Sequence, residues 1–147
     1  MYAKDKEAQE EFENGNAFAF IPGFGSIQLD KSDYFGLFNR SKHMANLKLF
    51  YNNSDMNLSS NLRVTYRSKY GLFDTNNNNY LDEYDEFVEA YTLWNWSINK
   101  TFYKNYELGL GIDNIFDYTD IPESQGDFVF ISNLPGRIIY TKLNITF

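Results

Sequence analysis

Apolar and polar residues alternate with period two along most of this chain, and the pattern becomes regular at Met44. Ala45, Leu47, Leu49 and Tyr51 share one parity and Asn46, Lys48 and Phe50 the other, which predicts a strand over 44–51. The polar run Asn52, Asn53, Ser54 and Asp55 predicts a reversal. A strand over 57–70 follows, with Leu58, Leu62, Val64 and Tyr66 opposite Asn57, Ser59, Asn61, Arg63, Thr65 and Arg67, and with Ser60 as a polar intruder on the apolar side. Residues 88–100 set Val88, Ala90, Thr92, Trp94, Trp96 and Ile98 against Glu89, Tyr91, Leu93, Asn95, Ser97 and Asn99. After a short turn over 101–105, Tyr106, Leu108, Leu110 and Ile112 oppose Glu107, Gly109, Gly111 and Asp113. The last strand sets Ile139, Thr141, Leu143, Ile145 and Phe147 against Ile138, Tyr140, Lys142, Asn144 and Thr146. Such alternation predicts an antiparallel sheet with one apolar face, a pattern that a soluble sheet resting on a core would share.

The connections narrow the choice. Those at 52–55 and 101–105 are short; those at about 3–42, 71–87 and 117–135 are long and polar or glycine-rich. In an up-and-down sheet this order puts every long connection at one end, as in outer-membrane barrels with short periplasmic turns and long extracellular loops. The first excursion is read as a strand stub at 1–4 followed by a loop, with short strand pieces around 17–21 and 26–29. In hydrocarbon every backbone polar group must be paired, so a membrane sheet has to close, and closure takes about eight strands or more. The expected fold class is therefore all-β: an antiparallel, up-and-down transmembrane β-barrel segment, incomplete without upstream strands.

Composition sharpens this reading by exclusion. The 147 residues carry a formal charge of -7, which opposes a general nucleic-acid surface, and they contain no Cys, which removes disulfides and thiolate chemistry. No apolar leader follows Met1, and no stretch approaches the length of a membrane helix. A membrane strand needs only about 9–11 tilted residues, apolar at every second position. Lys48, Arg63, Arg67, Glu89, Glu107 and Lys142 all fall on the polar parity, where lumenal water would solvate them. Arg137 shares the parity of Ile139, and its place after Pro135 and Gly136 puts it at the rim. Tyr51, Tyr66, Tyr70, Trp94, Tyr106 and Phe147 are candidates for interfacial girdles.

Four stretches are more specific: LGLGIDNIFDYTD (108–120), LPGRIIYTKLNITF (134–147), SKHMANLKLFY (41–51) and LRVTYRSKYGLFD (62–74). Together they resemble the last strands of TonB-dependent outer-membrane receptors. The family's Gly-x-x-Asn-x-Phe-Asp pattern falls on Gly111, Asn114, Phe116 and Asp117, its Pro-Gly-Arg pattern on Pro135, Gly136 and Arg137, and its terminal aromatic on Phe147. The resemblance implies a 22-stranded barrel around an N-terminal plug in the outer membrane of a Gram-negative bacterium. Such a receptor imports a scarce nutrient such as an iron-siderophore, haem, cobalamin or a glycan, with energy passed from the inner membrane through TonB. It implies as partners the outer-membrane lipid, the remaining barrel strands and plug, TonB through that plug, and the assembly machinery that reads the terminal aromatic. No plug or TonB-contacting segment is legible here, so the chain is expected to be the C-terminal portion of such a barrel and no enzyme. A passive outer-membrane pore or adhesin barrel, and a soluble β-sheet binding module, stay open as alternatives.

One local motif stands apart. Asp74, Asn76, Asn78, the Tyr80 carbonyl, Asp82 and Asp85 occupy positions one, three, five, seven, nine and twelve of a candidate calcium loop. Asn79 replaces the usual glycine, Asp85 the usual bidentate glutamate, and Glu86 is an alternative twelfth ligand. Calcium is the sole cofactor candidate, and a plain solvated loop is the competing reading. Gly109 and Gly111 form a GxG, but mid-strand and without a following helix they suit a crowded lumenal face better than a phosphate. His43 fits a rim position, and nothing sets Asp82, Glu83, Asp85 and Glu86 across a cleft for acid–base work. Phe18, Phe20, Phe24, Tyr34, Phe35 and Phe38 offer contacts either to a ligand or partner, or to one another.

Overall fold

The computed structural model describes residues 5–103, 105–125, 128–133 and 135–146, with the path of the backbone alone over 120–125 and 128–133. The strand stub expected at 1–4 and the terminal aromatic Phe147 lie outside the described residues. The chain forms two units, one from Met1–His43, Ser68–Ala90 and Pro122–Ile131, the other from Met44–Arg67, Tyr91–Ile121 and Ser132–Phe147.

The first unit holds the elements that the alternation pattern did not reveal. Helix α1 (Lys6–Glu13) starts where the Asp5 carboxylate accepts the Glu7 N–H, and it buries Ala8 and Phe12. Strands β1 (Phe18–Ile21) and β2 (Gly25–Gln28) form a hairpin, close to the short pieces read from sequence. Its tight turn uses Gly23 and Gly25 at φ +89° and +87°, where side chains are strained. A 3-10 turn, Lys31–Asp33, then leads to Tyr34. Ala8, Phe12, Ala17, Ala19, Leu29 and Tyr34 form the core, with Tyr80 packed against it. Small residues fill the inner face of the hairpin, and Phe18 and Phe20 point outward. Strands β5 (Tyr70–Phe73) and β6 (Glu86–Val88) form another hairpin in this unit, burying Tyr70, Leu72 and Val88.

The second unit is the amphipathic sheet. Strands β3 (Met44–Asn53), β4 (Leu58–Arg67), β7 (Tyr91–Phe102), β8 (Tyr106–Asp113) and β11 (Ile138–Ile145) lie in the order β11-β8-β7-β4-β3, antiparallel throughout. Two corrections to the sequence reading follow. The strand expected over 57–70 stops at Arg67, where the Ser68 hydroxyl accepts the His43 N–H, and Tyr70 begins β5. Val88 and Ala90 do not belong to the apolar register of β7; Val88 ends β6, and β7 begins at Tyr91. Alternation continues across both breaks, so parity alone cannot register them. The long connection after β8 likewise carries two strands, β9 (Asp120–Gln125) and β10 (Phe128–Asn133).

The strand pairings place residues in rows across the sheet. One face carries Leu49, Leu62, Trp96, Ile112 and Ile139 in a single row, then Tyr51, Ser60, Ile98, Leu110 and Thr141, then Asn53, Leu58, Lys100, Leu108 and Leu143. The opposite face carries Phe50, Asn61, Ser97, Gly111 and Tyr140, then Asn52, Ser59, Asn99, Gly109 and Lys142. Lys48 faces Arg63 on that same side. Among the described residues, every buried apolar side chain of the core belongs to the first unit, whereas Leu49, Leu110, Leu143 and Ile139 of the sheet are 53%, 47%, 61% and 72% exposed. Among the described residues the sheet contributes no buried apolar side chain to a core.

Two polar groups on that face are satisfied locally. The Trp96 indole N–H donates to Ser60 Oγ at 2.9 Å, and the Ser60 hydroxyl donates to the Ser97 carbonyl at 3.0 Å. Lys100, at the end of its row, reaches the Met56 carbonyl in the β3–β4 turn at 2.8 Å. Its apolar stem can lie along the sheet while its ammonium reaches the rim.

Candidate functional site

The family-motif residues and the Asp/Asn loop form two separate constellations, one in each unit. In the sheet unit the chain leaves β8 through Asn114 and Asp117, both in left-handed backbone conformation at φ +52° and +58°. Asn and Asp tolerate that region better than other residues with side chains. Asn114 is buried, and its amide group bridges the connection: Nδ2 donates to the Tyr118 carbonyl at 2.8 Å and to the Pro135 carbonyl at 3.4 Å, and Oδ1 accepts the Tyr118 N–H. Its own N–H donates to Asn95 Oδ1 on β7. Asp117 Oδ1 accepts the Arg137 N–H at 2.6 Å, and a methyl group on Gly136 would collide with that same oxygen. Trp94 meets Phe116 edge-to-face, and Tyr91 stacks on Tyr118. Six of the eight motif residues (Asn114, Phe116, Asp117, Pro135, Gly136 and Arg137) thus gather where β8 ends and β11 begins. They form a clasp that fixes the ends of a long connection, and Arg137 stands exposed ahead of β11.

Gly111 acts elsewhere, in the middle of β8, where any side chain would strike the ring of Tyr140 from β11. That is the crowded polar face anticipated for the GxG pair. Beside it an open pocket of about 280 Å3 is lined by Lys48, Arg63, Asn95, Asp113 and Tyr140, and the buried Asn61 Oδ1 on the same face has no hydrogen-bond partner. Sequence reasoning assigned the polar parity to these residues without foreseeing that they enclose a pocket.

In the other unit, residues 74–85 form a folded loop between β5 and β6. Asp74 Oδ2 accepts the Asn79 N–H, Asn76 Oδ1 the Asn78 N–H, Asn78 Oδ1 the Tyr80 N–H, and Asp82 Oδ1 the Tyr84 N–H. Asn79, in the glycine position of the motif, has φ +66°. The Asn76 and Asn78 amide groups both donate to Asp82 Oδ2, at 3.0 and 2.7 Å. Asp85 instead accepts two backbone N–H groups, Thr75 on Oδ1 and Asp82 on Oδ2. Burial, above all, raises the Asp85 pKa to about 6, opposed by those two hydrogen bonds and reinforced by the charges of Asp82 and Asp74. Glu83 accepts from the Tyr84 hydroxyl and raises its pKa. Among the described residues no three acidic or histidine side chains converge as a metal cluster, so any cation site here would draw on neutral oxygens as well. His43 stays at the start of β3 beside Ser68.

The loop aromatics divide: Tyr34 is buried in the core, whereas Phe18, Phe20, Phe24 and Phe35 are exposed, Phe35 with its ring edge-to-face on Phe87. No helix among the described residues is long and apolar enough to cross a membrane, which has no bearing on a crossing made by strands.

No protein-family profile and no curated protein matches the chain. Among solved structures it is similar to a point mutant of the ferric enterobactin receptor PfeA of Pseudomonas aeruginosa, with 21% identity and a TM-score of 0.54. The similarity covers 83% of this chain and 19% of that one, so the chain spans about a fifth of the receptor's length. It shows an all-β, antiparallel fold of the barrel type, and the described residues do not close into a barrel.

Proposed function

We propose that this chain is the C-terminal barrel portion of an outer-membrane receptor that actively imports a scarce nutrient such as an iron-siderophore, haem or cobalamin. The observation that carries the reading is the five-stranded sheet itself: one face is largely apolar and exposed, with no buried core side chain among the described residues, and the other bears the charged side chains apart from Lys100, which reaches the β3–β4 turn. A patch of that kind in water drives aggregation, whereas in a bilayer it is the surface that meets lipid. Among the described residues no further strand pairs with the edges β3 and β11, and hydrocarbon does not tolerate open ladders unless further strands close the ring. The fold similarity to the ferric enterobactin receptor and the residues of the motif clasp between β8 and β11 support a transport-related barrel. Lipid, the remaining strands and plug, the assembly machinery, and TonB acting through the plug are the partners this reading requires.

Cell fractionation with an antibody raised against the sheet tests the proposal. The expected result is a heat-modifiable species in the Gram-negative outer membrane, with uptake of a labelled nutrient lost on deletion of the gene. A water-soluble species would reject the membrane reading, and unchanged uptake of every nutrient tried would leave the passive pore or adhesin barrel as the better account.

A further inference from the structure

The loop over 74–85 has the features of a cation site that the transport reading does not use. Asp82 is wholly buried, and Asp74 Oδ1 is buried with no hydrogen-bond partner. Among the described residues, no Lys, Arg or His forms an ion pair with Asp74, Asp82 or Asp85; the ion pairs there join Lys31 to Glu13 and Lys69 to Glu89. A buried carboxylate oxygen facing no donor is costly, because removal from water is uncompensated. Elsewhere in the loop the carboxylate oxygens are matched to N–H groups, so this one open oxygen is an exception in an otherwise satisfied network.

We propose that this loop binds a calcium ion through the Asp74 and Asp82 carboxylates, the side-chain oxygens of Asn76 and Asn78, and the Tyr80 carbonyl, with Asp85 as a positioning residue. Two carboxylates balance the charge of a divalent ion, and the remaining donors are hard neutral oxygens of the kind calcium accepts. Each Asn Oδ1 accepts one backbone N–H and keeps a second lone pair. Asp85 is a ligand candidate by spacing alone. Its two oxygens are taken by backbone amides that tie the start of the loop to its end, whereas Asp82 Oδ2 is held by the rotatable side-chain amides of Asn76 and Asn78, which a cation can displace. Calcium is favoured over magnesium because these donors lie in an irregular loop, whereas magnesium demands near-octahedral order and retains its water. The site bears on the rest of its unit, since Asn78 Nδ2 also donates to the Phe18 carbonyl of β1 and Tyr80 packs edge-to-face on Phe12.

The test is calcium chloride titration of the full-length protein, read by hydrogen exchange at the Asn78, Asn79 and Tyr80 amides, with magnesium chloride in parallel. Exchange should slow by roughly tenfold or more, saturating with a midpoint on the order of 0.1–1 mM calcium, and magnesium should not reproduce it. Asp74→Asn keeps an oxygen for the Asn79 N–H but loses the charge, and should weaken the midpoint by roughly tenfold. Asn76→Asp supplies an independent sign: exchange faster than wild type in chelator, from added repulsion, and a tighter calcium midpoint. Unchanged exchange up to about 10 mM calcium would overturn the proposal. So would equal effects of both ions, a wild-type midpoint in Asp74→Asn, or an Asn76→Asp protein that binds calcium no more tightly. All of these readings are independent of nutrient uptake, so they stand or fall apart from the transport function.

Discussion

The Asp117 carboxylate holds the backbone N–H of Arg137 at 2.6 Å, across a connection of twenty residues. Asp117 itself sits at φ +58°, so local strain is accepted in exchange for a long-range anchor. Asp117→Ala removes the acceptor and leaves a strained position without its compensation. The expected cost is about 1–3 kcal/mol, with faster hydrogen exchange at Arg137 and little change in β3 and β4. Urea titration in phospholipid vesicles measures the first and exchange the second.

Gly111 and Tyr140 make a second pair whose coupling can be measured. Gly111→Ala should destabilise the sheet, because the new methyl group meets the Tyr140 ring. Tyr140→Ala alone removes packing. In the double variant the Gly111→Ala cost should largely vanish, giving a non-additive cycle; strict additivity would show that the ring does not depend on the glycine.

The two faces of the sheet should respond oppositely to charge. Leu62→Arg puts a cation in the middle of the apolar face and should cost about 2–4 kcal/mol in vesicles. Asn61→Arg, one residue away on the polar face beside the open pocket, should cost much less. Similar costs at both positions would contradict a lipid-facing surface.

Asp85 sets a pH dependence that calcium should mask. Its pKa in the fold, about 6, lies above the ordinary 3.8, so the folded state holds its proton more tightly than the unfolded chain does. The corresponding stability is fully present below pH 3.8 and is lost as the pH rises through about 6. In chelator, urea titrations of the wild type should therefore show a fall across that window, superimposed on the other titrations, and Asp85→Asn should flatten that part.

Much of this architecture was legible because period two is robust. A strand's parity follows from residue type alone, and the row of Leu49, Leu62, Trp96, Ile112 and Ile139 falls on one face as alternation requires. The same robustness hid the breaks. Val88 continues the parity of Thr92 and Trp94, so nothing in the pattern separates β6 from β7. Helix α1 was missed because its apolar contribution is slight, with Ala8 and Phe12 alone buried in eight residues, although Asp5 is a readable N-cap. The motif residues were legible as a set, but the physical reason they belong together, a carboxylate meeting a backbone N–H twenty residues on, exists only in three dimensions. The calcium spacing was readable as a list of oxygens; that Asp85 faces the backbone was not.

Ser60, which breaks the apolar parity of β4, holds the Trp96 indole and thereby distinguishes the two tryptophans of the chain. Trp96 has its N–H occupied within the sheet, and Trp94, two residues away on the same face, meets Phe116 beyond the end of β8. Both look outward from the surface assigned to lipid, at different heights along one strand. In the proposed receptor the pair would serve as a native optical ruler for membrane depth: quenchers fixed at known levels in the acyl chains would read its two marks separately in Trp94→Phe and Trp96→Phe proteins, without any added label.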